Sequence, residues 1–129
     1  MRDTEAALAN LLKRTSDLSA TLLPLSGSLI AYNLLLSLYI CHLRGETPTV
    51  KSLFASIPYS DMGIRYHLRK LLITGWIELR PSASDRRTKV CVPTDRFNQA
   101  WEVLMSEMKL QLDRHAIICE MQFDMKDRL

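Results

Sequence analysis

At Gly75 the hydrophobic pattern of this chain changes its period. Before it, Ile64, Leu68, Leu71 and Leu72 recur at helical spacing along one stripe, while Met62, Tyr66 and Arg69 point the opposite way, flanked by Arg65 and Lys70. After it, Trp76-Ile77-Glu78-Leu79-Arg80 alternates, with Ile77 and Leu79 on one side, and Lys89-Val90-Cys91-Val92 is a second short strand that places Val90 and Val92 together. Few chains can satisfy both halves. The segment is confined to an amphipathic helix, opened by Ser60 as N-cap with Asp61 against the positive helix end, stopped by a glycine able to turn left-handed, and running straight into a hairpin.

The residues on either side complete the pattern. Upstream, Leu53, Phe54 and Ile57 form a short apolar segment capped by Thr47 or Thr49, and Pro58-Tyr59 makes a turn. Downstream, Pro81 to Thr88 is a polar hairpin tip carrying Arg86 and Arg87 side by side. The order is that of a helix-turn-helix followed by a wing. A helix buried on one side and cationic on the other suits a major groove, where arginine pairs with guanine O6 and N7, and arginines at a projecting tip suit the neighbouring minor groove. The candidate DNA contacts are Ser60, Met62, Arg65, Tyr66, Arg69, Lys70, Arg86, Arg87 and Lys89. Among these Arg65, Tyr66 and Arg69 would read base edges, and Lys70 and Lys89, with Lys51, would take phosphates. Asp85 is the candidate wing-orienting residue, holding the Arg87 guanidinium in one rotamer by a charge-assisted pair. Gly63 costs roughly 1 kcal/mol against alanine inside a helix. Close approach of the backbone to DNA explains it as well as a tolerated first-turn glycine does.

The run Arg65-Tyr66-His67-Leu68-Arg69-Lys70-Leu71, then Gly75-Trp76-Ile77, Ser84-Asp85-Arg86-Arg87 and Val92-Pro93-Thr94, resembles the winged helix of the MarR family of bacterial transcriptional regulators. The likeness extends from about Val50 to Leu104 and is most specific in the Asp-x-Arg wing. Pro58-Tyr59 and Met62-Gly63 depart from the family pattern in the turn and at the start of the helix. The resemblance implies a homodimeric repressor or activator on a palindromic operator, with Arg87 as the wing arginine and Asp85 as its partner. It also implies ligand-responsive repression, by a small aromatic effector entering between the dimer helices and the winged part, near Tyr32, Tyr39, Trp101 and Met105. Core packing is the competing role for those four.

Charge is distributed in keeping with a cationic reading surface. The 129 residues carry a net +3, yet Asp61 to Arg96 alone holds eight Lys/Arg against four acids, +4, which leaves −1 for the remainder. Apolar residues make up 47% and charged residues 24%, which suits one folded domain rather than a disordered chain. Cys41, Cys91 and Cys119 are odd in number and lack CxxC spacing, pointing away from a disulfide framework and towards a reducing cytoplasm. No secretory signal is expected behind Met1-Arg2-Asp3.

The outer segments are helical in pattern. Thr4 or Asp3 caps a first helix bearing Leu8, Leu11, Leu12, Leu18 and Leu22, which ends before Pro24. Ser26-Gly27-Ser28 opens a second, and Leu29 to Leu43 is apolar almost all round. That run is shorter than the roughly 18 residues a membrane span takes and includes Asn33, Ser37 and His42, so a central core helix is expected and no membrane partner. From Asp95 the chain has no proline or glycine through Leu129, and Phe97, Trp101, Leu104 and Met108 form a stripe. A helix on the order of 40 Å outruns a small winged helix and leaves apolar surface needing a partner. A homodimer interface is therefore expected through Leu8, Leu11, Leu12, Leu112, Ile117 and Met121, spacing two reading heads by about 34 Å, one turn of DNA.

The expected fold is thus mainly α with a small two- or three-stranded β wing: a winged helix-turn-helix with N- and C-terminal dimerisation helices. One domain spans 1–129, with an N-terminal dimerisation helix over 1–23, a winged core over 28–94 and a C-terminal dimerisation helix over 95–129. His115 and Cys119 stand four apart, but two ligands on one helix fall short of the four of a closed zinc site, so no metal or cofactor is assigned. His67 is expected to be half-buried and bonded to backbone, and the cysteines to be buried thiols rather than redox sensors. With no Ser/His/Asp spacing, glycine-rich phosphate loop or paired acids, an enzyme is not expected. The alternative to a regulator of double-stranded DNA is a winged-helix protein–protein interaction or assembly module, in which Arg65, Arg86 and Arg87 are a solvated cluster.

Overall fold

The computed structural model describes the backbone of residues 2–127 and the side chains of residues 2–114. Over that span the elements are α1 (Arg2–Leu22), α2 (Leu29–Leu43), α3 (Val50–Ser56), α4 (Asp61–Ile73), β1 (Ile77–Pro81), β2 (Lys89–Pro93) and α5 (Asp95–Asp127). The chain is mainly helical with a two-stranded antiparallel wing, the winged helix-turn-helix expected from its sequence. It divides into two compact units, one formed by Met1–Leu23 and Glu102–Leu129, the other by Pro24–Trp101.

Short side chains set the helix starts of the second unit. Ser28 Oγ accepts the N–H groups of Ile30 and Ala31 at the head of α2, Thr49 Oγ1 accepts that of Ser52 at 3.0 Å, and Ser60 Oγ that of Gly63 at 3.2 Å. Each bond satisfies a donor that a helix start leaves without an intrahelical partner. Between α3 and α4 the Tyr59 N–H donates to Ile57 O at 2.8 Å, closing the turn at Pro58-Tyr59.

The end of α4 is a Schellman motif. Gly75, at φ +78°, donates its N–H to Leu72 O, and Trp76 donates to Leu71 O at 3.0 Å. Leu71 and Trp76 are both buried beside this reversal, so the turn that stops the helix also aims the strand. β1 and β2 pair with Ile77 opposite Pro93 and Leu79 opposite Cys91. Paired residues share a face, so the inward face of β2 carries Cys91, fully buried, while Val90 and Val92 lie together on the other face. A bridge between Thr49 and Val90, with the Cys91 N–H donated to Pro48 O at 2.9 Å, adds a third short segment to the sheet edge.

The core of this unit is built from α2 (Ala31, Leu34, Leu35, Leu38), α3 (Leu53, with Ile57 beyond it), α4 (Ile64, Leu68, Leu71), Ile77 and Cys91 of the wing, and Phe97 and Trp101. Each large apolar side chain buried here stabilises the fold by roughly 1.5–3 kcal/mol before chain entropy is charged against it. α2 is less completely enclosed than its composition suggests, since Leu29 and Leu43 at its two ends are 69% and 66% exposed. No helix among the described residues is long and apolar enough to cross a membrane.

In the first unit α1 begins two residues ahead of Thr4, with Asp3 and Glu5 inside its first turn. Arg14 of α1 donates to Gln111 of α5 at 3.0 Å, while Ser19 and Leu104 are buried. Leu8, Leu12 and Leu112 are exposed and Leu11 is half-buried. Ile117, Met121 and the His115–Cys119 pair lie outside the residues whose side chains are described.

Candidate nucleic-acid interface

Burial of Ile64, Leu68 and Leu71 fixes the rotation of α4, and with it the direction of every other side chain on that helix. Met62 and Tyr66 consequently stand 84% and 63% exposed, with Arg69 on the same outer face. The two flanks differ. On one, Arg65 sits over the Phe54 ring of α3 at 5.9 Å, a cation–π contact, and lines a groove of about 810 Å³ running to Leu79, Thr88 and Lys89 of the wing. On the other, His67 Nε2 bonds Ser28 Oγ at 3.0 Å and Lys70 Nζ donates to Ser26 Oγ at 3.3 Å, both at the head of α2. His67 is therefore tied to a side chain rather than to the backbone expected. Burial, and then the nearby Lys70 charge, lowers its pKa and favours the neutral ring.

Gly63 lies on the α2 flank. A Cβ there would meet Ile30 Cδ1 at 2.8 Å, so the glycine makes room for α2 inside the protein. Close packing of helices, not approach to DNA, accounts for it.

The wing tip is closed locally. Ser82 N–H donates to Thr88 O at 2.8 Å and Thr88 N–H to Asp85 O at 3.0 Å. The Asp85 carboxylate accepts the Arg87 backbone N–H at 3.0 Å through Oδ1 and the Thr88 hydroxyl at 3.2 Å through Oδ2. This corrects the sequence expectation of a carboxylate–guanidinium pair. An aspartate two residues ahead of an amide is already within reach of it, and that local bond takes the oxygen. Asp85 orients the wing through its backbone, leaving the exposed Arg86 and Arg87 side chains beyond the turn. Among the described residues the ion pair is Arg80–Glu78, 2.9 Å, at the surface of β1.

One basic residue beside this surface was not singled out from the sequence. Arg96 donates to Thr74 O at 2.7 Å and stacks over the Trp76 ring at 4.7 Å, alongside the Gly75 turn. Its charge belongs to the basic segment, but only the fold brings it back to the end of α4. Thr94 opens α5 as expected. Its hydroxyl hydrogen is shared between Gly75 O at 2.7 Å and Trp76 O at 2.9 Å while Oγ1 accepts the Phe97 N–H.

Tyr39 and Trp101 stack face to face, centroids 4.3 Å apart and planes 2° from parallel, so these two residues of the expected effector pocket occupy each other's faces. Burial raises the Cys91 thiol to about 11, and burial followed by the Glu46 charge raises Cys41. Both are held protonated and weakly nucleophilic at neutral pH.

No protein-family model matches the chain, and no curated protein matches it. Solved structures do. A transcriptional regulator of Thermotoga maritima, Tm0710, superposes at a TM-score of 0.64 with 13% identity, over 98% of this chain and 94% of its own. AbfR bound to DNA, in its overoxidized form, does so at 0.52 with 20% identity over the whole of both chains. A MarR-like transcription regulator from Bacillus cereus gives 0.52 with 9% identity, over 99% of this chain and 96% of its own. The fold is that of the MarR-like regulators. Within that fold α3 and α4 form the helix-turn-helix, and β1 and β2 the wing.

Proposed function

We propose that this chain is a sequence-specific regulator of transcription that binds double-stranded DNA, as a homodimeric repressor on a palindromic operator. The observation that carries it is the division of α4. Its apolar stripe is consumed by the core, and what remains outside is an aromatic, a thioether and arginine, beside a wing whose exposed tip holds Arg86 and Arg87. Two adjacent arginines on an exposed tip beside that helix offer a polyanion the cations that neutralise its phosphates. In this reading Arg65, Tyr66 and Arg69 face base edges, with Ser60 and Met62 at the groove entry. Lys51, Lys70 and Lys89 supply salt-dependent affinity, and the wing arginines enter the minor groove.

Two-fold pairing is supported by the surface of the other unit. Leu12 at 71%, Leu8 at 49% and Leu112 at 51% exposure are apolar side chains in search of cover on α1 and α5. A regulator's two heads then demand two half-sites related by the same symmetry. Selection of bound duplexes from a random pool tests class and symmetry together: an enriched inverted repeat with half-sites about one helical turn apart is expected. Recovery of unenriched sequence, or of a single half-site, would remove the operator and the dimer respectively.

A further inference from the structure

On the flank of α4 away from the wing, basic groups converge on a cleft of about 180 Å³, room for about six waters, lined among others by Ser26, His67, Lys70, Thr74, Trp76 and Arg96. No acid lines it. Arg96 is already positioned there, one nitrogen on Thr74 O at 2.7 Å and its plane over Trp76, so little side-chain entropy remains to be lost when its other donors take a ligand. Lys70 reaches the rim, where its Nζ donates to the Ser26 hydroxyl at 3.3 Å.

Hydrogen-bond counting adds a further donor. Ser28 Oγ accepts two backbone N–H groups, from Ile30 and Ala31, which uses both its lone pairs. Its own hydrogen is then directed at His67 Nε2, 3.0 Å away, and in that tautomer the His67 proton sits on Nδ1 as a donor. The first turn of α2 starts at the same place, and the partial positive charge of a helix start adds to the preference for an anion.

We propose that this cleft seats a phosphate group, in the working complex a phosphodiester of the operator. The wing occupies the Arg65 flank of α4 and the cleft the His67 flank, so a helix lying in a major groove presents one to each of the two phosphate walls. The source named here rests on the DNA-binding reading; the phosphate chemistry of the cleft does not. Its occupant is a tetrahedral oxyanion, with Arg96 and Lys70 supplying charge and His67 a neutral donor.

The test uses the full chain and two independent variants, Arg96→Gln and Lys70→Gln, with Arg96→Lys as the charge-retaining control. Duplex affinity is measured against salt. Each phosphate contact contributes about 0.9 to the slope of log affinity on log salt. Arg96→Gln and Lys70→Gln should each lower the slope by about 1 and weaken specific and scrambled duplexes alike, roughly threefold to tenfold, while Arg96→Lys keeps the slope. In parallel, inorganic phosphate is titrated against chloride at constant ionic strength and the melting temperature followed. A rise in the wild-type chain that both glutamine variants lose, together with unchanged duplex slopes, upholds the phosphate seat and assigns it to a free phosphate ester. Unchanged slopes and no phosphate-dependent rise overturn the proposal. If the wild-type chain binds no duplex, the DNA-binding reading fails by itself and the phosphate titration alone decides the cleft.

Discussion

At the base of the β1–β2 hairpin, Ile77 and Cys91 are buried, Trp76 closes the Schellman turn, and the Thr94 hydroxyl bonds the carbonyls of Gly75 and Trp76. At its tip, Arg86 and Arg87 are exposed and the backbone is gathered by one carboxylate, Asp85. The base belongs to the core and shares its stability. The tip is a self-contained turn that leaning on the core would not improve. The direction of the wing and the shape of its end are therefore set separately: the first by burial, the second by hydrogen bonds confined to Ser82–Thr88.

Three substitutions probe that separation. Arg87→Glu acts only at the tip: it should abolish duplex binding in a gel-shift assay, roughly 1,000-fold or more, because a contact to phosphate-rich surface becomes a repulsion, and leave the thermal midpoint unchanged. Retained binding would show that the tip does not meet DNA. Ile77→Ala acts at the base, where the residue is 1% exposed, and should cost about 2–5 kcal/mol in urea unfolding. A cost below about 1 kcal/mol would mean that the base is not part of the core at all. Asp85→Ala should weaken duplex binding roughly fivefold, the order of a lost cap, with little change in stability, although it removes a negative charge from the DNA side. Tighter binding by this variant would show that charge, not order, is what Asp85 contributes.

Much of this architecture was legible because it is local. The N-caps Ser28, Thr49 and Ser60, the left-handed Gly75 and the stripe of Ile64, Leu68 and Leu71 each act within a turn or two of themselves, and the sequence displays them together. What was not legible depends on register or on contacts between distant residues. In Lys89-Val90-Cys91-Val92 the more apolar alternation is Val90/Val92, and only pairing in register with the face of β1 that buries Ile77 places Cys91 inward. The reason for Gly63, left between approach to DNA and a tolerated first-turn glycine, was hidden because its neighbour Ile30 is 33 positions away in the chain. Arg96 went unassigned for the same reason, its partners being Thr74 and Trp76. In the case of Asp85 both candidate partners were in view. The nearer one prevailed, an amide whose position is fixed by the chain against a guanidinium at the end of a long side chain.

The Gly75 junction also governs where evolution or design can lengthen this protein. A residue inserted between Ser60 and Gly75 would rotate everything downstream by about 100°, carrying the Trp76 and Ile77 side chains out of register with Thr94 and Leu71. The same insertion between Ala83 and Arg86 would disturb only the local turn that Asp85 closes, leaving the strand register at the base unchanged. Length variants that remain folded should therefore collect at the hairpin's end and be missing from the helix that precedes it.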